Sequence, residues 1–144
     1  MTLLFEPVPQ DRDAAVLHDW RRIHNLIIPT APLSVPDVEE RAGGNRLEVA
    51  YLNGVAVGNS TVRAPEDGTT VVIARVLPEH RRRGFGTKIY EHLLAYAGGK
   101  LATVVLASNE DGLRFAKRKG FVETDRYLLP GDTVAFVDLT LGVR

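Results

Sequence analysis

The residues best equipped for chemistry lie in the run Val76-Leu77-Pro78-Glu79-His80-Arg81-Arg82-Arg83-Gly84-Phe85-Gly86-Thr87-Lys88. An apolar segment here gives way to a basic, glycine-bearing loop that opens a helical pattern. Such a loop turns backbone N–H groups outward at a helix N-terminus, where unpaired amides and the helix dipole favour an anion. Gly84 and Gly86 allow a bulky anion to approach the backbone closely. Arg81, Arg82, Arg83 and Lys88 outnumber the one carboxylate of the stretch, Glu79. The chemistry expected is capture of a pyrophosphate-sized anion, with Arg81 supplying charge to it. Two familiar phosphate motifs do not fit. Ile89 stands at the third glycine position of the dinucleotide fingerprint, and Gly86-Thr87-Lys88 inverts the Lys-Ser/Thr order of the P-loop.

That loop must be carried by a scaffold, and the chain has the length for one. Its 144 residues, 44% apolar and 25% charged, fit a single globular domain spanning 1–144. Lysine plus arginine equals aspartate plus glutamate at 18 each, so the basic loop is a local concentration in a neutral protein. Neutrality argues against nucleic acid or an anionic membrane as a partner, and no aromatics interleave with the arginines as in single-strand binders. With no cysteine there is no disulfide framework and no thiolate nucleophile or metal site, and no metal is expected. Residues 1–10 carry Glu6 and two prolines where a secretory signal needs a basic start and an apolar stretch, so a cytoplasmic location is expected.

Hydrophobic spacing gives the order βααβββαβαββ, a mixed α/β domain with one splayed, mostly antiparallel sheet and helices on its faces. Asp11 is expected to cap a first helix with Val16, Trp20, Ile23 and Ile27 on one side, and Ser34 with Asp37 a second that Gly43-Gly44 closes. Asn53-Gly54 marks a tight hairpin. The stretch Thr70 to Leu77 is apolar at nearly every position, as a central strand is. Ser108 and Asp111 suggest a further capping box for the helix that ends at Gly120.

Arg81-x-x-Gly84-x-Gly86 after a Val-x-Pro strand end resembles the acetyl-CoA signature of the GNAT N-acetyltransferase superfamily, Gln/Arg-x-x-Gly-x-Gly/Ala. The segment Asn109-Glu110-Asp111-Gly112-Leu113-Arg114-Phe115-Ala116-Lys117-Arg118-Lys119-Gly120-Phe121 resembles that family's second motif. The resemblance implies that acetyl-CoA is the co-substrate and that its pantetheine arm enters between two splayed strands. It assigns Arg75, Val76 and Leu77 to the arm, Arg81, Arg82, Arg83, Gly84, Phe85, Gly86 and Thr87 to the pyrophosphate, and Asn109 and Phe115 to further contacts. A primary amine of a small molecule or peptide would attack the thioester directly, with a backbone N–H at Val76 or Leu77 stabilising the oxyanion. A homodimer is compatible with this reading.

The catalytic groups are less legible. The central strand carries no carboxylate where many family members have a glutamate, which leaves Glu48, His24 and Asp132 as candidate bases beside water itself. Ala116 stands where the family often has a tyrosine acid. That acid is dispensable, since a thiol of pKa about 8.5 leaves as thiolate at pH 7 for only about 2 kcal/mol. The rival reading is a non-catalytic acyl-CoA sensor that keeps the cofactor loop and lacks acid and base.

Overall fold

The structure is a computed structural model that describes residues 2–141. The chain runs β1 (Leu4–Pro7), α1 (Ala15–Ile27), α2 (Val35–Gly44), β2 (Arg46–Leu52), β3 (Val55–Val62) and β4 (Thr69–Val76), then α3 (Phe85–Leu93), β5 (Lys100–Leu106), α4 (Glu110–Arg118), β6 (Phe121–Tyr127) and β7 (Phe136–Leu141). Short 3₁₀ turns at Pro78–His80 and Leu94–Tyr96 flank α3. The order of elements is the one the sequence predicts. The strands form one sheet in the order β1-β2-β3-β4-β5-β7-β6, antiparallel throughout except between β4 and β5. No helix among the described residues is long and apolar enough to cross a membrane.

Helix boundaries depart from the sequence reading where a nearer partner takes the expected cap. Asp11 accepts from the Asp13 N–H, so α1 begins later, at Ala15, without a side-chain cap. Gly43 and Gly44 form the last two residues of α2, with Asn45 as its C-cap. Asn109, rather than Ser108, caps α4 by accepting from the Gly112 N–H, and Asp111 is drawn to Arg81 and Arg114 instead. The Ser34–Asp37 capping box forms as expected.

Two helices cover each face. The stripe Val16, Leu17, Trp20 and Ile23 buries α1 against Leu47, Val49 and Leu77, with Val38 of α2 completing the cluster. On the opposite face Phe85 and Ile89 of α3 pack on Val57 and Ala50, while Leu93, Ala116 and Phe121 meet Val72, Val137 and Leu139. Reciprocal hydrogen bonds lock α1 to the sheet. The Trp20 indole N–H donates to the Ser60 carbonyl, and the buried Asn59 amide donates to the Trp20 carbonyl, both at 3.1 Å.

Gly58 sets how closely β4 and α3 approach β3. A Cβ there would sit 2.2 Å from the Arg75 carbonyl oxygen and 2.9 Å from Ile89 Cδ1, so backbone and helix would both have to move. Overpacking of this kind costs about 1–3 kcal/mol. Gly58→Ala is therefore expected to lower the unfolding free energy read from urea titrations by that amount or more, and an unchanged value would refute the close approach.

Candidate active site

The sheet opens in its middle. β4 and β5 pair only at Thr69↔Lys100, Thr70↔Leu101 and Val71↔Ala102, although β4 continues to Val76 and β5 to Leu106. Strand geometry determines which backbone groups face the gap. The bonds Arg63 N–H to Val71 O and Leu77 N–H to Val57 O turn the amides of odd-numbered β4 residues toward β3, so those of Val72, Ala74 and Val76 face the gap. On the other side, Ala107 N–H donates to Ala135 O, which by the same alternation leaves Val104 and Leu106 facing it. Two strand edges with unpaired peptide groups thus confront each other, a geometry that takes up an extended chain bearing amides.

The gap widens into a cleft of about 700 Å³, within the range of small-ligand sites. It reaches both faces of the sheet. Ile27 and Ile28 line it on the α1 side, and Gly84, Gly86, Phe115 and Ala116 line it on the α3–α4 side. At its mouth the loop turns through two left-handed residues, Arg82 at φ 64° and Gly84 at φ 79°. Such a backbone costs a non-glycine residue of order 1 kcal/mol, which makes Arg82 a strained point at the site. Gly84 caps α3 without a side chain, and the first helical bond runs from the Lys88 N–H to the Gly84 carbonyl. The amides of Phe85, Gly86 and Thr87 are consequently left without intrahelical acceptors in the cleft wall.

Of the residues singled out from sequence, Arg75, Val76, Arg81, Arg82, Gly84, Phe85, Gly86, Thr87, Asn109 and Phe115 all line the cleft. Leu77 and Arg83 are not among the lining residues. Leu77 is buried in the α1 core with its N–H spent on Val57, so it cannot supply the oxyanion donor, and Val76 N–H can. The Arg83 guanidinium lies over the Phe85 ring at 4.8 Å. Arg81 has protein partners at the mouth. Its Nε donates to the Val76 carbonyl at 3.0 Å and its Nη1 pairs with Asp111 at 3.4 Å, so the side chain ties β4 to α4. Ala74, Val104 and Leu106 were not foreseen, because strand parity is invisible before pairing is known.

The candidate bases are placed less favourably. Glu48 is buried on the α3 side of β2, away from the cleft, where it accepts from His92 Nε2 at 3.1 Å and Arg46 Nη2 at 3.3 Å. Asp132 accepts from the Leu129 N–H inside its turn. His24 is buried on α1, stacked on Trp20, with Nδ1 3.1 Å from the Asn25 side-chain oxygen. Burial first, and the Arg75 guanidinium second, push its pKa down to about 4, which leaves a weak base at neutral pH.

Residues 13–121 match the sequence profile of the acetyltransferase (GNAT) family. The chain belongs to that family. Solved structures agree on the GNAT fold. A structure described as a putative phosphinothricin N-acetyltransferase superposes with a TM-score of 0.76 at 20% identity, covering 99% of both chains. Arabidopsis thaliana NAA60 in complex with a bisubstrate analogue gives 0.73 at 18%, covering 96% of this chain and 97% of that one. A GNAT family acetyltransferase from Elizabethkingia anophelis with acetyl-CoA bound gives 0.71 at 16%, covering 98% of each. Among curated proteins, none matches this chain in sequence.

Within the GNAT frame, Ala116 is buried beside the cleft and brings no hydroxyl. The phenol nearest in kind is Tyr90 of α3, which lines the cleft, meets Phe115 edge-on at 6.1 Å and has its pKa raised by burial.

His24 also makes stability depend on pH. With a folded pKa near 4 against 6.5 unfolded, the unfolded chain binds the extra proton between those values, so stability falls as pH drops through that window and the loss levels off below it. The loss at pH 4.5 relative to pH 7.5 is about 2–3 kcal/mol. His24→Gln should remove that part of the acid sensitivity in urea titrations at the two pH values; equal acid sensitivity in both proteins would refute it.

Proposed function

We propose that the protein is an acetyl-CoA-dependent N-acetyltransferase that moves the acetyl group to a primary amine by direct attack. The observation that carries this reading is the pair of parted strands, whose unpaired amides lead to the bare N-terminus of α3. The pantetheine arm contains two amides and fits the edges at Ala74, Val76 and Val104, and the pyrophosphate fits the free amides at 85–87. Val76 N–H, turned into the gap, would stabilise the charge that develops on the thioester oxygen. The amine nitrogen bonds to the carbonyl carbon, the C–S bond breaks, CoA leaves as thiolate and the nitrogen's proton passes to water. A lysine-like amine of pKa about 10.4 is free in only about one molecule in 2,500 at pH 7, so the rate should climb with pH until the amine is deprotonated. The opening of the cleft on both faces favours an enzyme over a sensor, since an acceptor can reach the thioester from the α1 side while the cofactor occupies the other.

Calorimetry with acetyl-CoA tests the cofactor site. Gly86→Glu is expected to abolish binding, because it adds a carboxylate at the anion loop and sets a Cβ 3.3 Å from the Phe115 ring. Asn109→Ala provides a milder check and should weaken binding, with α4 losing its cap at a stability cost of about 1 kcal/mol. Unchanged acetyl-CoA affinity in Gly86→Glu would overturn the assignment. Release of CoA thiol from acetyl-CoA that depends on an added primary amine separates the transferase from the sensor, and Tyr90→Phe should change that rate only a few-fold if the thiolate departs unaided.

A further inference from the structure

Positive charge gathers on the α1 side of the cleft, and no ion pair among the described residues neutralises it. Arg75 lines the cleft from β4. By strand alternation its side chain shares a face with Ile73 and, across β3, with Asn59 and Thr61, the face that α1 covers through the Asn59–Trp20 hydrogen bond. Arg63, just past the end of β3, falls on the same face. Arg41 stands on the last turn of α2, which Asn45 anchors to the chain beside Arg63 by accepting from the Ala64 N–H. The three guanidiniums come from three elements, and their fields act on one another and, from Arg75 and Arg41, on His24. None of them takes part in a hydrogen bond or ion pair among the described residues, whereas Arg12, Arg22, Arg46, Arg81, Arg114 and Arg126 all have carboxylate partners.

Other charged groups on this side do not cancel the cluster. Asp37 acts on Arg41 but is held by Ser34 in the capping box. Asp138 acts on Tyr127, as Arg63 does, and leaves its own buried Oδ1 without a partner. Burial and the two neighbouring arginines push Arg75 down to about 9, still a cation at neutral pH. Repulsion of this kind destabilises a fold and persists where function needs the charge.

Resting on the transferase reading above, we infer that the acceptor amine carries an anionic group, a carboxylate in the first instance, held by Arg75 with Arg41 and Arg63 behind it. This cluster is distinct from the phosphate loop, since Arg75 meets the cleft from the α1 face and Gly84, Gly86 and Phe115 meet it from the other. A planar guanidinium fork matches a carboxylate in two parallel hydrogen bonds. The same field repels polycationic acceptors such as polyamines and lysine-rich peptides.

The test uses ligands that resemble the product and have no titrating amine: N-acetylglycine, N-acetyl-β-alanine and N-acetyl-4-aminobutyrate, each against its carboxamide. Each is titrated into CoA-saturated protein with dissociation constants read by NMR. The acid is expected to bind about 10- to 100-fold tighter than its amide at one chain length or more. Arg75→Gln should bring each pair to within about twofold, and Arg75→Lys should keep part of the preference. Because Arg75→Gln relieves repulsion, its urea midpoint should not fall, which separates lost recognition from lost folding. Acids and amides binding alike in the wild type, or a preference that survives Arg75→Gln, would overturn the inference. So would Arg75→Gln narrowing the difference in affinity between CoA and 3′-dephospho-CoA, since the cluster would then serve the cofactor. Failure of the wild type to bind acetyl-CoA in calorimetry would instead overturn the transferase reading, and is measured separately.

Discussion

Everything at the site depends on one failure of pairing. Past Val71 and Ala102 the two central strands part, and the peptide groups of Val72, Ala74 and Val76 lose the partners that a continuous sheet would provide. Backbone donors and acceptors left unpaired in the middle of a protein are costly, so such a gap persists only where water or a ligand completes it. The surrounding fold holds the gap open. Gly58 lets α3 press onto β3, the Trp20 and Asn59 bonds hold α1 against the opposite face, and β7 inserts between β5 and β6 so that β5 is anchored on its outer side.

Arg81 links this opening to the loop beyond it. Its guanidinium joins the carbonyl of the last β4 residue to Asp111 near the start of α4, so the two strands' helical continuations are tied at the mouth even while the strands diverge. The Asp111 pKa is itself lowered, chiefly by the hydrogen bond from Arg114. A family motif position that looks like a phosphate ligand in sequence serves here as a brace as well, and the bare amides of residues 85–87 beside it are main-chain groups.

The fold and the glycine-bearing loop at the cleft mouth were legible because they rest on local rules. A glycine-bearing loop between an apolar strand and an amphipathic helix specifies a helix N-terminus with bare amides, and turn signals such as Asn53-Gly54 fix antiparallel neighbours. What escaped was whatever depends on long-range pairing. Leu77 and Val76 look alike in sequence, yet parity against β3 spends one amide and frees the other. Glu48 reads as a strand carboxylate near the site, and only the register with Ser60 shows that it points to the α3 face, into the company of His92 and Arg46. The arginines at 41, 63 and 75 are scattered in the chain and converge only once three elements are packed.

That convergence bears on the base that the sequence does not name. β4 has no carboxylate, Glu48 is sequestered, and His24 is too acidic to take a proton at neutral pH. The field that helps hold His24 near 4 disfavours any cation at that end of the cleft, a bound ammonium included. Each unit by which an amine's pKa is lowered raises the fraction of free nucleophile about tenfold at a pH below that pKa. A carboxylate on the acceptor would offset one of three guanidinium charges and leave a net cationic surrounding. In the proposed transfer, deprotonation by solvent followed by attack in a positive environment would do part of the work of a base carboxylate.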